Sequence, residues 1–327
     1  MEGLVTLADV YRARQTIAPW VRRTPLVLSP SLSKLSGGEV FLKLESAHDT
    51  GAFKLRGATN AILGLDKEQR ANGVVTVSTG NHGRAVAYAA RRLGVRAVVC
   101  MSRLVPGNKV RAIDALGAEV RIHGRSQDEA QQEADRLVAQ EGMVLIPPFD
   151  HPDVVAGQGV VGLELLEDLP DIDTVLVPLS GGGLIAGIAI ALKAASSRIR
   201  IVGISMERGP AMYHSIQAGH PVEVEEQESL ADSLGGGIGL DNRYTFPVVR
   251  DRVDEILLLN EGQIARGMVH LYREEQLVAE GAAAVGPAAL LEDLVKPRGQ
   301  KVAAIITGRN VDMERFTQLV SGCYPTS

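Results

Sequence analysis

The sequence Glu-Ser-Ala-His-Asp-Thr-Gly-Ala-Phe-Lys-Leu-Arg-Gly-Ala occupies residues 45–58 and has Lys54 near its centre. Residues 40–44, just before it, predict a strand, and a helical pattern runs from Lys54 to about residue 63. Small residues and one aromatic surround the lysine, so we expect its amine to be partly shielded from water. Shielding disfavours the ammonium form, and a neutral amine can attack a carbonyl group. The stretch therefore predicts a reactive lysine, although most lysines are solvated surface charges.

Length and composition indicate a globular protein of one large or two smaller α/β domains. The chain has 327 residues, 45% of them hydrophobic and 22% charged, and a net charge of −5 that gives no reason to expect nucleic acid or an anionic membrane as a partner. No apolar run is long enough to span a bilayer, and the first residues lack a signal-peptide pattern. Cys100 and Cys323 have no metal-ligand spacing, and Cys100 falls in an apolar segment. We expect a cytoplasmic protein with a small-molecule substrate.

Apolar strand segments alternate with helical patterns along most of the chain. Further strands are predicted at residues 74–77, 97–101, 119–123, 143–146, 174–177, 200–206 and 302–307. Further helices are predicted at residues 6–18, 84–93, 106–116, 128–140, 155–167, 210–220, 261–274 and 282–294, with one more ending near residue 194. This alternation predicts parallel sheets with right-handed crossovers, arranged as two α/β layers with a cleft between them.

The run Ser180-Gly181-Gly182-Gly183-Leu184 lies between a predicted strand and a predicted helix. Without Cβ atoms, its backbone can approach a ligand closely and direct several N–H groups at a phosphate, next to a helix N-terminus. A tight turn packed against the sheet is the alternative. A second alternative is a dinucleotide site, because Gly181, Gly183 and Ala186 match G-x-G-x-x-A and Glu207 ends the next strand. That pattern gives no role to Lys54.

The loop Ser78-Thr79-Gly80-Asn81-His82-Gly83 also follows a strand and precedes a helix. Its side chains and backbone amides can bind a carboxylate or a ring hydroxyl. His82 is an acid or base by type, yet a histidine in a loop more often serves as a hydrogen-bonding residue. Gly80 and Asn81 are also compatible with plain turn chemistry.

Four motifs in order resemble the serine/threonine dehydratase branch of the fold-type II pyridoxal 5′-phosphate (PLP) enzymes. Residues 52–58 look like the family's lysine motif, residues 78–83 like its substrate-carboxylate loop, and residues 180–184 like its phosphate loop. Thr307-Gly308-Arg309-Asn310-Val311 is similar to its strand-end motif. The resemblance implies two open parallel-sheet α/β domains, tryptophan synthase β-like, with PLP in the cleft. Residues 1–72 and 146–327 would form the large PLP-binding domain, and residues 73–145 the small substrate-loop domain inserted in it.

The resemblance also implies the site residues. Those expected to bind the cofactor are Phe53, Lys54, Asn81, Gly181, Gly182, Gly183, Leu184, Glu280 and Thr307. Those expected to bind substrate are Ser78, Thr79, Gly80, Asn81 and His82. Lys54 and Thr79 are the residues expected to be catalytic. Lys54 would anchor PLP and then act as the base at the substrate Cα, Asn81 would bind the ring hydroxyl, and Thr307 would face the pyridine nitrogen. Glu280 can equally be an ordinary acid at a helix start.

The implied reaction is β-elimination of water from a β-hydroxy amino acid such as L-threonine, L-serine or a 3-hydroxy analogue. The products would be a 2-oxo acid and ammonia, as in the EC 4.3.1 ammonia-lyases. Residues 206–209 and 308–312 look most like dehydratases assigned to hydroxyectoine utilisation. The resemblance further implies a homodimer. A non-catalytic binding module with the same fold, and the NAD(P)-dependent oxidoreductase based on residues 181–186, remain the alternatives.

Three positions depart from the family pattern. Ser180 stands where the phosphate loop commonly has a fourth glycine, and Thr79 stands where racemising members have a serine as the second catalytic base. Members that bind a divalent cation use two acids and a backbone carbonyl between them. Glu207 and Ala211 fill the first two places here, but Tyr213 replaces the second acid, so we expect no metal.

Overall fold

The computed structural model describes residues 4–322, apart from Pro106 and the side chain of Asn108. Cys323, and Pro106 as the predicted start of a helix, lie outside the described residues. The strands are β1 (Leu26–Leu28), β2 (Glu39–Lys43), β3 (Val74–Val77), β4 (Ala97–Met101), β5 (Glu119–Ile122), β6 (Val144–Leu145), β7 (Thr174–Pro178), β8 (Arg200–Met206), β9 (Glu255–Leu259) and β10 (Lys301–Ile305).

Helices connect most of these strands. They are α1 (Leu7–Ile17), α2 (Pro30–Ser36), α3 (Lys54–Gly64), α4 (Lys67–Asn72), α5 (Asn81–Leu93), α6 (Gly107–Asp114), α7 (Gln127–Glu141), α8 (Pro152–Asp168), α9 (Gly183–Ala195), α10 (Ala211–Ala218), α11 (Thr245–Arg252), α12 (Glu261–Arg273), α13 (Gly281–Leu291) and α14 (Met313–Val320). Their ends follow local chemistry. The Thr6 hydroxyl and the Asp9 carboxylate form a reciprocal capping box at the start of α1.

The strands form two sheets. The six-stranded sheet has the order β1-β2-β10-β7-β8-β9, and the four-stranded sheet has the order β5-β4-β3-β6. All pairs are parallel except the edge pair of β1 with β2. The predicted parallel α/β architecture is therefore present, with one antiparallel edge strand that the sequence pattern did not indicate.

The sheet order explains how distant motifs meet. β2, β10 and β7 are direct neighbours, and the lysine stretch, the Thr307 segment and the glycine run follow their carboxyl ends. Because parallel strands end at one edge of the sheet, the three segments converge there. The loop at residues 78–80 follows the carboxyl end of β3 in the other sheet.

Burial explains the clearest of the predicted strands. The central strands β4, β7 and β8 are almost wholly buried, so their apolar segments were clear in the sequence. β1 has three residues and is largely exposed, which leaves no pattern to detect. The prediction also lacked β9 and four helices, namely α2, α4, α11 and α14. No described helix combines the length and the apolar character that a bilayer crossing requires.

Candidate active site

Backbone pairing joins the lysine stretch to the Thr307 segment. The Phe53 N–H donates to the carbonyl of Thr307 over 3.0 Å, and Ala52 and Gly308 form an isolated antiparallel bridge. The Arg309 N–H donates to the carbonyl of Gly51 over 2.9 Å. The two segments are therefore held side by side at the end of β2 and β10.

Lys54 begins α3 and points its amine at a backbone carbonyl. Its Nζ donates to the carbonyl oxygen of Pro148 over 2.6 Å and lies 5.2 Å from the centre of the Phe53 ring. Burial of the amine lowers the pKa of Lys54 to about 8, although the Glu280 carboxylate opposes this shift. A pKa near 8 leaves a useful fraction of neutral amine at physiological pH, which is what a nucleophile or base needs.

A buried ion cluster surrounds Arg56, which follows Lys54 by two residues in the first turn of α3. Arg56 Nε lies 2.7 Å from Glu45 Oε2, and Arg56 Nη1 lies 2.7 Å from Glu164 Oε1. Lys43 Nζ lies 2.6 Å from Glu164 Oε2. All four side chains are buried, so each charge depends on its partners in the cluster. The cluster ties α3 to β2 and α8.

The Thr307 side chain is a buried group with an unused hydroxyl. Its Oγ1 has no hydrogen-bond partner among the residues that the structure describes. Buried polar atoms are normally paired, so an orphaned hydroxyl at the convergence of three loops indicates a position for a ligand atom.

The glycine run presents free backbone N–H groups at the start of α9. Gly182 has a φ of +85°, and no described carbonyl or side chain accepts a hydrogen bond from the N–H groups of residues 181–184. The Phe149 ring packs so closely on Gly181 that a Cβ there would lie 2.3 Å from a ring carbon. The run is therefore suited to bind an anion, because it offers backbone N–H donors and contains no acidic side chain.

The loop at residues 78–83 leaves its polar groups available. The hydroxyls of Ser78 and Thr79 make no hydrogen bond to a described residue, and a Cβ at Gly80 would meet no described atom within 4 Å. Gly83 is required for packing, because its Cβ would lie 2.1 Å from the carbonyl oxygen of Ser78. The loop thus faces open space with hydroxyl and N–H donors.

His82 is buried and electrically neutral. Its Nε2 lies 2.9 Å from the carbonyl oxygen of Ile146, which can only accept, so Nε2 carries the proton. Burial, aided by the nearby Lys54 charge, lowers the pKa of His82 to about 3. Its Nδ1 has no partner among the described residues. The imidazole is a fixed hydrogen-bonding group, which favours the non-catalytic alternative for this residue.

Asn81 and Glu280 meet across the two sheets. Asn81 Nδ2 lies 2.8 Å from Glu280 Oε1 and 3.1 Å from Glu280 Oε2. The Ser233 hydroxyl approaches Oε1 at 3.4 Å. Burial raises the pKa of Glu280 to about 7, despite the hydrogen bond from Asn81. Glu280 directly precedes α13, yet its carboxyl group bonds Asn81 and makes no capping hydrogen bond to the helix.

The segment Ile146-Pro147-Pro148-Phe149 is part of the site that sequence reasoning missed. It accepts hydrogen bonds from Lys54 and His82 through backbone carbonyls and packs Phe149 on the glycine run. The next residue, Asp150, accepts from the N–H groups of Tyr244 and Thr245. Backbone acceptors carry no side-chain signature, although the Pro-Pro pair after a strand marks a rigid connection.

Three further positions were compared with the family's cation site. Glu207 is exposed at the end of β8, Ala211 begins α10, and Tyr213 makes an edge contact with His214. Among the described residues, no group of three or more His, Cys, Asp or Glu side chains forms a metal site. The absence of a resident metal stays a prediction.

The described residues fit PLP. An aldehyde would meet the Lys54 amine, a phosphate would meet the free N–H groups at residues 181–184, and a ring nitrogen would meet the orphaned Thr307 hydroxyl. Asn81 and Glu280 line the same cleft.

Comparison with known proteins gives concordant matches. The family model described as pyridoxal-phosphate dependent enzyme matches residues 17–308. A provisionally named threonine dehydratase of Sinorhizobium fredii is 55% identical over 97% of this chain and 96% of its own. The L-threonine ammonia-lyase of Thermotoga maritima is 40% identical over 97% of this chain and 79% of its own. The structure of maize serine racemase superposes with a TM-score of 0.91, at 36% identity and 97% coverage of both chains.

Proposed function

The chain belongs to the family of pyridoxal-phosphate dependent enzymes, and we propose that it eliminates water from L-threonine, L-serine or a related β-hydroxy amino acid. The predicted fold, that of the fold-type II PLP enzymes, and the predicted cofactor are both confirmed. The protein is a PLP-dependent lyase of the threonine/serine ammonia-lyase kind. Membership of this family gives the glycine run a role in binding the PLP phosphate, so the pattern at residues 181–186 no longer supports the dinucleotide alternative.

One observation carries the proposal: the Lys54 amine, with its lowered pKa, lies in the cleft where the glycine run and Thr307 converge. Bound PLP supplies an electron-withdrawing ring that stabilises negative charge at the substrate Cα. Lys54 accepts the Cα proton through its neutral amine, and the Pro148 carbonyl holds the resulting ammonium group by a hydrogen bond. The Cβ–O bond breaks, and the proton taken from Cα leaves with the hydroxyl as water, which restores the neutral amine of Lys54. The released enamine then takes up one water and gives a 2-oxo acid and ammonia.

The other site residues bind and orient. The hydroxyls of Ser78 and Thr79 and the N–H groups after Gly80 receive the substrate carboxylate. The Thr307 hydroxyl would face the ring nitrogen of bound PLP. Because this hydroxyl is neutral, it would favour an unprotonated ring, which suits elimination over transamination. His82 keeps the loop in place through its bond to the Ile146 carbonyl and transfers no proton.

The test is the release of 2-oxo acid from a panel of L-threonine, L-serine and longer 3-hydroxy amino acids. We expect ammonia and 2-oxo acid in equal amounts from at least one member. Absence of turnover from the whole panel, with PLP bound, would leave the non-catalytic binding module as the better interpretation. A link to hydroxyectoine catabolism stays a prediction, which the longer 3-hydroxy substrates test.

We further propose the large domain of residues 1–72 and 146–327, the small domain of residues 73–145, a homodimer and a cytoplasmic location. The separate four-stranded sheet, whose strands run from Val74 to Leu145, supports the division. The free buried thiol of Cys100 is in keeping with a reducing compartment. The homodimer rests on the family resemblance, and light scattering of the purified protein tests it.

A further inference from the structure

Building on the proposed function, we propose that Asn310 is a positioning residue. It fixes the side-chain amide of Asn81 in the one orientation that leaves an Nδ2 hydrogen for the ring hydroxyl oxygen of the cofactor. Asn310 follows Thr307 by three residues, in the segment after β10. Its side chain is partly buried between the two sheets, where it contacts both.

The orientation of the Asn310 amide is set by partners whose roles cannot be exchanged. Arg84 Nη1 lies 3.2 Å from Asn310 Oδ1, and a guanidinium group can only donate. The carbonyl oxygen of Thr50 lies 2.8 Å from Asn310 Nδ2, and a carbonyl can only accept. Reversing the amide would place nitrogen against nitrogen and oxygen against oxygen. Chemistry therefore determines which side of Asn310 carries the nitrogen.

The orientation of the Asn310 amide in turn determines the orientation of the Asn81 amide. The second hydrogen on Asn310 Nδ2 points at Asn81, and the atom that receives it, at 2.7 Å, must be the Asn81 oxygen. Asn81 Nδ2 then faces the Glu280 carboxyl group, at 2.8 and 3.1 Å from its two oxygens. A reversed Asn81 would direct its nitrogen at the Asn310 nitrogen, where no acceptor is present, and its oxygen at the two Glu280 oxygens.

One hydrogen of Asn81 Nδ2 remains unused. The two Glu280 oxygens are bonded to one carbon and so lie in nearly the same direction from the nitrogen, whereas the two amide hydrogens diverge; we infer that one hydrogen serves both oxygens. No other described side chain or carbonyl accepts from this amide. A donor in that position stabilises an ionised ring oxygen over a neutral ring hydroxyl, because a hydrogen bond to a charged acceptor is the stronger one. Asn310 thereby influences the ionisation of the cofactor without touching it.

The hydrogen bonds that join Thr50, Arg84, Asn310 and Asn81, here called the relay, also connect the two sheets. Thr50 follows β2 and Asn310 follows β10 in the six-stranded sheet, whereas Asn81 and Arg84 belong to α5, after β3 of the four-stranded sheet. The Asn81 amide is oriented only while these elements are together. Asn310 is the residue that bonds to both sides.

The test replaces the amide of Asn310 with a group that cannot donate. Asn310→Asp keeps the size but directs oxygen at the Thr50 and Asn81 oxygens, so the Asn81 amide loses its fixed orientation. The holoenzyme is titrated spectroscopically, because an ionised ring oxygen absorbs at longer wavelength than a neutral ring hydroxyl. We expect the long-wavelength fraction of the lysine-bound cofactor to fall by about half or more, and the PLP affinity to fall about tenfold.

Matched variants separate orientation from stability. Asn260→Asp makes the same exchange at the exposed cap of α12, where aspartate is also a good cap, and should leave both values unchanged. Asn310→Ser removes the relay without adding charge and carries the test if Asn310→Asp does not fold. Arg84→Gln keeps a donor and should retain the long-wavelength form, whereas Arg84→Met should lose part of it.

Two results would overturn the role of Asn310, and a third would overturn the proposed function. An unchanged ratio of the two absorbance forms in Asn310→Asp and Asn310→Ser, with affinity within about twofold of the unaltered protein, overturns the inference. A loss of affinity at an unchanged ratio also overturns it, because that result indicates a purely structural contact. If the unaltered protein binds no PLP at all, the proposed function itself fails.

Discussion

At the scale of single residues, the cleft holds two titratable groups whose pKa values have moved towards each other. Burial lowers the pKa of Lys54 to about 8 and raises that of Glu280 to about 7. Both shifts have the same origin, since burial disfavours the charged form of either group. The site thus keeps an amine and a carboxyl group that can each change protonation near physiological pH, which acid–base chemistry requires.

Glu280 gives a prediction for the apoprotein. A carboxyl group with a raised native pKa keeps its proton where the unfolded chain has lost it, so the free energy of unfolding should fall as pH rises from 4.5 to about 7. The fall amounts to about 3 kcal/mol at most. Urea unfolding across this range should show it in the unaltered protein and show a flatter curve in Glu280→Gln. The exposed Glu68→Gln serves as the control, and an identical fall in Glu280→Gln would contradict the assignment.

At the scale of elements, α3 is held by the buried ion cluster. Removing Arg56 leaves the Glu45 and Glu164 carboxylates buried and facing each other with less compensation. We expect Arg56→Met to lower the free energy of unfolding by about 3–5 kcal/mol. Arg250→Met, which breaks the exposed pair with Asp251, should cost less than about 1 kcal/mol. Equal urea midpoints for the two variants would show that the cluster does not stabilise α3.

The glycine run yields a second prediction at this scale. Gly181→Ala places a Cβ against the Phe149 ring, so the run must shift and its N–H groups move away from the phosphate. We expect PLP affinity to fall by at least about tenfold, because hydrogen bonds to a charged group are lost.

Gly219→Ala is the matched control. That residue has a φ of +79° at the end of α10, with open space around its Cβ, so the change should affect stability and leave affinity alone. Equal affinities for the two variants, by absorbance titration, would exclude the phosphate role.

The features that could be predicted were elements with strong periodic patterns and motifs defined by residue type. Lys54 and the glycine run were proposed from their residue types, Thr307 was proposed from the family resemblance, and the buried strands were predicted from their apolar segments. The Pro148 carbonyl was not, because a backbone acceptor has no sequence signature. The Asn81–Glu280 contact joins residues 199 positions apart, and only the sheet order brings them together.

At the scale of the whole molecule, the site exists because two sheets present their strand ends to one cleft. Lys54, Thr307 and the glycine run come from the six-stranded sheet, and the loop at residues 78–83 comes from the four-stranded sheet. A cofactor that contacts both sides binds the folded protein only, so saturating PLP should also raise the melting temperature of the whole chain.

The central claim is that Lys54 anchors PLP in this cleft. The most direct measurement is the visible absorbance of the purified protein after incubation with PLP and removal of the excess, beside Lys54→Ala and the exposed control Lys67→Ala. We predict a long-wavelength band in the unaltered protein and in Lys67→Ala, and its absence from Lys54→Ala. A band of equal intensity in Lys54→Ala, or none in the unaltered protein, would contradict the account.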